Sequence, residues 1–387
     1  MGPGSSRLGI GISILIAAFG IGVSTGQPAR GAPAGASGET PYGGATAREQ
    51  GAQILQSAGI TGGLVVHLGC GDGALTAALH AGEGFLVQGL DRSPTNVAKA
   101  RAHLQSLGLY GRVSVDRLTG DALPFIDNFA NLVVAEQLDG ISRTEVLRIL
   151  APNGVACLKE GDTWTRTVKP WPAEIDQWTH FFHNATGNPV AQDTVVGPPR
   201  RYQWLGSPRW SRHHDHMASM SAVVSAQGRL FYIVDEGSRA SIQLPAHWSL
   251  VARDAFNGTI LWKRPIPAWN THLWPLKSGP AQITRRLVAV GDKVFVTPSL
   301  DAPLTILDAA TGRTLRTCAG TAQTEEIIVS EGVAFLLVSD EPSKWPRYRQ
   351  EYPYVWDNSN HANKGWAWDG YPRAIVAVDT ETGNVLW

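Results

Sequence analysis

The residues best suited to ligand chemistry lie in one glycine-rich segment, Val65-Val66-His67-Leu68-Gly69-Cys70-Gly71-Asp72-Gly73. It joins an apolar run of strand length to a helix-like stretch. Glycines let a backbone turn sharply and approach a ligand closely, and the free N–H groups of the following helix N-terminus face that ligand. Gly69, Gly71 and Ala74 also fit the dinucleotide pattern, so an NAD-type Rossmann site is one alternative. A domain that uses these glycines only for tight turns is another.

Three further features favour S-adenosylmethionine (SAM) as the ligand. Asp91, in Gly89-Leu90-Asp91-Arg92-Ser93, ends the second predicted strand, where a carboxylate can bind both hydroxyls of a ribose. The segment Gly120-Asp121-Ala122-Leu123-Pro124 follows the third predicted strand. The segment Leu150-Ala151-Pro152-Asn153-Gly154 precedes the fifth.

Over roughly residues 47–161 these motifs resemble the class I SAM-dependent methyltransferases. The resemblance implies a cofactor site in which the glycines approach the methionine end, an aspartate binds the ribose and a loop lies near the adenine. The residues concerned are Gly69, Gly71 and Gly73, then Asp91, and finally Asp121 with Ala122.

His67 is also placed in this cofactor site, at a position where the family usually has Asp or Glu. A neutral imidazole cannot replace a carboxylate in a charge-assisted hydrogen bond. Losing such a bond costs about 1.5–3 kcal/mol, so weak SAM binding is expected. No catalytic residue and no motif for the methyl acceptor is identified, and the sixth and seventh strands that often shape the acceptor pocket have little room.

Apolar runs of strand length alternate with amphipathic stretches of helix length in this region, which predicts a Rossmann-like α/β domain with a parallel sheet. The predicted helices are 47–58, 75–80, 95–107 and 143–150. The five predicted strands, joined by crossovers, are 63–68, 85–90, 112–115, 131–135 and 155–159.

The chain changes character after this region, because all 14 tryptophans lie at or beyond Trp164. A repeat follows, in which an apolar strand leads to Asp, four residues later to Gly, and then to a second apolar strand. Such a hairpin opens with Asp and uses Gly for a positive φ. Its three copies begin at Asp254, Asp308 and Asp379. Upstream strand pairs complete four-stranded units, as in propeller blades.

The repeats resemble the pyrroloquinoline quinone (PQQ) repeat family, whose tryptophans pack between blades. Trp262 and Trp387 fit that position and Arg316 departs from it. The fold class is therefore multidomain, with the α/β domain followed by an all-β partial propeller of about three blades. Quinoprotein dehydrogenases of this architecture typically have an adjacent Cys pair and a complete ring. Bound PQQ is therefore not expected.

Five segments are predicted: a signal peptide (1–34), a linker (35–45), the methyltransferase-like domain (46–165), a Trp/His-rich connector (166–221) and incomplete propeller repeats (222–387). Arg7 and the short apolar run after it predict export to the periplasm or the extracellular space, with no stable membrane anchor after cleavage. About three blades cannot close a ring. The chain is therefore expected to be a fragment of a longer one, or to complete its ring by association.

Charge balance and cysteine content restrict the kinds of partner and metal site expected for this chain. The 33 basic and 33 acidic residues balance, which argues against nucleic acid, and the three isolated cysteines favour neither a disulfide framework nor a zinc site. In the cluster Arg212-His213-His214-Asp215-His216, His214 and His216 would share one face of a strand and could join a metal site, although hydrogen bonding at a domain junction is commoner. The aromatic stretch 345–368 could bind carbohydrate or peptide, or pack as a loop.

Two main functions remain open. The first is SAM-dependent methyl transfer to an unknown protein, glycan or small-molecule acceptor. The second is an exported scaffold or binding protein that uses both folds for recognition without chemistry. A quinoprotein oxidoreductase is a third reading, and it requires PQQ and a metal.

Overall fold

A computed structural model describes residues 44–161, 163–198, 202–207, 219–240, 244–269, 281–343 and 371–387. All of them belong to one unit, Tyr42–Trp387, and a separate unit, Met1–Pro41, lies outside the described residues with the predicted signal peptide. No helix among the described residues is long and apolar enough to span a membrane.

The first part of the chain is an α/β domain built on one six-stranded sheet with the strand order β3-β2-β1-β4-β5-β6. Its helices are α1 (Gly44–Ala58), α2 (Ala74–Ala78), α3 (Pro94–Ser106) and α4 (Arg143–Ile149). Its strands are β1 (Gly63–Leu68), β2 (Phe85–Asp91), β3 (Val113–Arg117), β4 (Ala130–Ala135), β5 (Leu150–Glu160) and β6 (Thr163–Val168). Strands β1 to β5 are parallel, as predicted.

Helices cover both faces of this sheet because successive side chains of a strand point to opposite faces. Val65 of β1 lies in a core cluster with α1, α2 and α3, whereas Val66 lies in a second cluster with α4. Burial on both sides explains why β1 is apolar along its whole length apart from His67. Ser93 and Ser142 begin α3 and α4 by accepting hydrogen bonds from backbone N–H groups of the first turn.

The sixth strand corrects the prediction of five. Strand β6 pairs antiparallel with β5 in a hairpin that turns at Gly161 (φ 62°), and it carries the sheet to Val168, beyond the predicted boundary at 165. Its side chains are exposed or half-buried throughout, so it lacks the apolar alternation that marks a strand in sequence. A dinucleotide-binding Rossmann sheet has a parallel sixth strand. The antiparallel β6 therefore departs from the NAD alternative.

Three antiparallel sheets follow the α/β domain. The first is β7 (Met220–Ala226), β8 (Arg229–Asp235), β9 (Trp248–Asp254) and β10 (Ile260–Pro265). The second is β11 (Leu287–Val290), β12 (Lys293–Val296), β13 (Thr305–Asp308) and β14 (Thr314–Thr317), preceded by a 3₁₀ helix, Ala281–Arg286. The third is β15 (Thr324–Ser330), β16 (Val333–Ser339) and β17 (Arg373–Asp379). The first strands contact one another, β7 with β11 and β11 with β15.

The repeated turns have the predicted chemistry. Gly258, Gly312 and Gly383 have φ values of 74°, 70° and 79°, and the preceding aspartates accept hydrogen bonds from backbone N–H groups of the turn. The tryptophan expected between sheets is there as well. A Cβ placed on Gly312 would lie 2.6 Å from the Trp262 ring, whose Nε1 donates to the Ala309 carbonyl oxygen at 3.0 Å.

Trp204 packs on the turn of the first sheet in the same way. The sequence did not predict this contact, because Trp204 lies in the connector and outside any repeat. Its ring lies 2.5 Å from the position of a Cβ on Gly258, and its Nε1 donates to the Ala255 carbonyl oxygen at 2.9 Å. At Gly383 the aliphatic part of Arg316 replaces the indole, 3.2 Å from the corresponding Cβ position.

A connector segment, residues 176–183, runs along the first strand of each antiparallel sheet. The Trp178 and Thr179 carbonyl oxygens accept from Ser225 N at 2.7 Å and Ala289 N at 3.0 Å. His180 Nε2 accepts from Val329 N at 3.0 Å. Burial lowers the pKa of His180 to about 4, so its imidazole is neutral and able to accept at neutral pH. One short segment thus ties three sheets together.

The first antiparallel sheet docks on the amino-terminal edge of the parallel sheet. Asn131, next to the start of β4, donates to Asp254 Oδ2 at 2.7 Å and accepts from Asn257 Nδ2 at 2.7 Å. The same Asn131 Oδ1 accepts from Leu64 N at 2.8 Å. The glycine-rich segment lies at the opposite, carboxyl edge.

Candidate ligand site at the carboxyl edge

The candidate site lies where the strand order reverses. Strands β2 and β4 flank β1 on opposite sides, so the loops after β1 and β4 diverge and leave a crevice at the carboxyl edge. Ligands of open α/β sheets bind at such a point. Apart from His67 in β1, every residue that the sequence placed in the cofactor site lies at the end of β2 or in the loops after β1 and β3.

The loop Gly69–Gly73 divides its three glycines between two tasks. Gly69 and Gly71 have φ values of 72° and 54°. A Cβ on Gly71 would meet none of the described atoms within 4 Å, and one on Gly69 would meet only Asp139 Oδ2 at 3.9 Å, so the loop borders open space. Gly73 (φ 88°) is different, because a Cβ there would lie 2.9 Å from that of Ala100. Gly73 allows α3 to pack closely.

Asp91 anchors this loop. Its Oδ2 accepts from Gly71 N at 2.9 Å and its Oδ1 from Ser93 N at 2.8 Å, while Asn96 Nδ2 lies 3.2 Å from both oxygens. The residue is only 7% exposed. The carboxylate thus stands beside the glycine loop, and its hydrogen-bonding positions are already engaged by the protein.

His67 lies beneath the glycine loop. It is 2% exposed, its Nδ1 lies 2.8 Å from Thr76 Oγ1 on α2, and its Nε2 is buried with no hydrogen-bond partner among the described residues. Burial lowers the pKa of His67 to about 4, although the charges of Glu136 and Asp91 act in the opposite direction. His67 is therefore neutral at neutral pH and supports the loop from the inside.

Asp121 and Ala122 lie in the loop after β3, and both are exposed. Asp121 Oδ1 accepts from Arg92 Nη2 at 3.0 Å, and Arg92 Nε donates to the Asp139 carbonyl oxygen at 2.9 Å. Arg92 therefore links the loops after β2, β3 and β4 across the edge where the adenine was predicted. No motif in the sequence pointed to Arg92, although Arg92 follows Asp91 directly.

A second polar group that the sequence analysis missed lies beyond the end of β4. Glu136 Oε1 accepts from Gln50 Nε2 of α1 at 2.9 Å and lies 3.5 Å from Lys159 Nζ at the end of β5. No local sequence motif indicates this group, because Gln50, Glu136 and Lys159 come from distant parts of the chain. Glu136 is exposed just after β4 at the carboxyl edge, and its charge acts on His67.

Within the described ranges no group of three or more His, Cys, Asp or Glu is placed to hold a metal ion. His214 and His216 lie outside the described residues, as does the whole aromatic stretch 345–368. Cys70, Cys157 and Cys318 are buried and unpaired. Burial raises the pKa of Cys70 to about 12, so this thiol beside the glycine loop stays protonated.

Residues 65–154 match the family described as methyltransferase domain. No curated protein matches the chain significantly. Similar solved structures include a Methanococcus maripaludis protein provisionally assigned as a SAM-dependent methyltransferase, with 25% identity, a TM-score of 0.28, and coverage of 30% of this chain and 57% of that one. The [4+2]-cyclase SpnF has 23% identity, a TM-score of 0.27, and coverage of 29% and 43%.

A geranyl diphosphate methyltransferase in complex with SAM has 19% identity, a TM-score of 0.26, and coverage of 29% and 48%. The chain thus spans about half the length of the solved structures that it matches. The family match falls on the parallel sheet and its glycine loop. This part of the chain has the Rossmann-like methyltransferase fold, and several antiparallel sheets follow it.

Proposed function

We propose that the α/β domain binds SAM at the carboxyl edge of its sheet and transfers the methyl group to an acceptor. The observation that carries the proposal is the loop of Gly69 and Gly71, which has positive φ values, borders open space and is hydrogen-bonded to Asp91 through the Gly71 N–H. Such a loop lets a ligand approach the backbone where a side chain would block it.

SAM, when bound, supplies a methyl group on a sulfonium cation, and transfer breaks the S–C bond while an acceptor nucleophile forms the new bond. Exposed carboxylates lie on the loops of this edge, Asp72 in the glycine loop and Glu136 and Asp139 after β4, and would attract that positive charge. Opposite charges about 4 Å apart attract by about 1 kcal/mol in water and more near a protein surface. Asp91 would hold the ribose, and positioning of the two reactants would supply most of the rate enhancement.

Calorimetry with S-adenosylhomocysteine tests the binding half of this proposal. Replacing Asp91 with Ala should weaken binding at least tenfold, because a hydrogen bond to a charged group contributes about 1.5–3 kcal/mol. Asp116→Ala is the matched control, since Asp116 is an exposed carboxylate on β3 that pairs with Arg101. The ribose assignment fails if Asp91→Ala binds as tightly as the wild type. The methyltransferase proposal fails if the folded wild type does not bind.

We further propose that the three antiparallel sheets are successive blades of a PQQ-repeat-type propeller in an exported protein. The repeated turns, the stacking of Trp262 and Trp204 on the next turn, and the contacts among first strands support this. Because the first of these sheets docks at Asn131, on the edge opposite the ligand site, the sheets serve as a scaffold that leaves the site uncovered. A protein or glycan partner on this scaffold is the alternative role if SAM binding fails.

A further inference from the structure

Asn96 covers the carboxylate that the proposed function assigns to the ribose. It stands in the first turn of α3, half-buried, and its side-chain amide donates to Asp91 Oδ1 and Oδ2 at 3.2 Å each. The longer distances distinguish it from the two backbone donors, Gly71 N at 2.9 Å and Ser93 N at 2.8 Å. Asp91 is left only 7% exposed beneath this cover.

The Asp91 carboxylate can accept only a limited number of hydrogen bonds, so its donors compete for it. An ionised carboxylate has about four lone-pair positions, two on each oxygen. Gly71 N occupies one position on Oδ2 and Ser93 N one on Oδ1, which leaves one on each oxygen. Those are the two positions that a pair of ribose hydroxyls needs, and Asn96 Nδ2 lies against both.

The three donors differ in freedom. Gly71 N and Ser93 N belong to the backbone of the glycine loop and of the α3 start, so withdrawing either would remodel the loop or the helix cap. The Asn96 side chain can leave Asp91 by rotating about its own bonds. Its backbone N–H would keep its contact with Ser93 Oγ at 3.3 Å.

We propose that Asn96 is a gate on the ribose subsite, a side chain that competes with the two ribose hydroxyls for Asp91 and must turn away before an adenosine ligand binds fully. The gate rests on the proposed function, because it concerns the same site. It makes Asn96 a residue that sets affinity and that makes binding depend on both hydroxyls. A ligand offering only one donor gains too little to displace the amide.

The gate predicts that removing the amide tightens binding. The Asn96 amide is shared between the two oxygens at 3.2 Å, so the ordinary net contribution of about 0.5–1.5 kcal/mol is expected in place of the value for a short bond to a charged group. That contribution corresponds to about two- to twelvefold in affinity. Asn96→Ala should therefore bind S-adenosylhomocysteine about three- to tenfold more tightly than the wild type. Thr95→Ala is the matched control, because Thr95 is the exposed neighbour in the same helical turn, and its affinity should not change.

The experiment is calorimetric titration of the full chain with S-adenosylhomocysteine and with its 2′,3′-dideoxyribose analogue. We expect Asn96→Ala to increase the affinity for S-adenosylhomocysteine and to leave the affinity for the dideoxyribose analogue unchanged. Adding Asn96→Ala to Asp91→Ala should not increase the affinity, since the effects of coupled residues are not additive. Wild-type binding without a gain overturns the gate alone, and so does an equal gain for both ligands. Absence of binding by the folded wild type overturns the gate together with the proposed function.

Discussion

The buried His67 makes the stability of the α/β domain depend on pH. Its pKa of about 4 in the folded chain lies below the ordinary value of 6.5. Between these values the unfolded chain binds a proton that the folded chain excludes, so stability falls as pH decreases from 6.5 towards 4 and is fully present above 6.5. Each pH unit in this window costs about 1.4 kcal/mol, which amounts to about 2 kcal/mol at pH 5.

His67→Gln isolates this effect, because glutamine keeps a polar group near Thr76 and does not titrate. We expect the wild type to lose about 2 kcal/mol more than His67→Gln between pH 7 and pH 5. Urea unfolding followed by circular dichroism at the helical wavelength measures it. Helices α1 to α4 all lie in the α/β domain, so among the described elements that signal belongs chiefly to this domain.

Comparing the wild type with His67→Gln at the same pH cancels the contribution of the many carboxylates to stability, because they titrate in both proteins. His103→Gln, on α3 and half-buried, is the matched histidine control and should follow the wild type. If His67→Gln does not fold, His67→Asn serves the same purpose. Parallel loss of stability in wild type and variant would refute the reasoning, since it would mean that His67 takes up no proton on unfolding.

Two further predictions concern the antiparallel sheets. Trp262→Ala should cost about 3 kcal/mol through the lost ring contact and the lost bond to the Ala309 carbonyl. Gly312→Ala should cost about 1–3 kcal/mol because the new methyl group meets the Trp262 ring. In thermal unfolding, the double variant should lose less stability than the sum of the losses in the two single variants. Full additivity would show that the indole does not rest on Gly312. Asn131→Leu removes the hydrogen bonds that Asn131 makes with Asp254 and Asn257 across the two parts of the chain. Calorimetry should therefore resolve two melting transitions further apart than in the wild type, and an unchanged profile would contradict the docking role.

The sequence by itself determined the elements whose signals are local. Strand β1 was predicted at its observed bounds, Gly63–Leu68, because a run of apolar residues between a turn and a glycine loop marks a buried strand. The repeated turns were predicted for the same kind of reason. Asp and Gly four residues apart specify the turn through bonds and φ values within the turn itself, as Gly258 shows.

Other features were decided only by tertiary structure. Strand β6 has no apolar alternation and exists because it pairs with β5. Trp204 acts as a repeat tryptophan only because the connector brings it to the Gly258 turn. Neither residue type nor spacing in the connector carries that information.

The residues of the candidate site also fall into those that the sequence identifies and those that only the tertiary structure reveals. Gly69, Gly71 and Asp91 could be named from the sequence, because strand ends and glycine loops place them at one edge of a parallel sheet. The cover of Asp91 by Asn96, the link from Arg92 to Asp121, and the group around Glu136 could not. These depend on side-chain directions and on contacts between residues far apart in the chain, which are set when the helices and strands pack together.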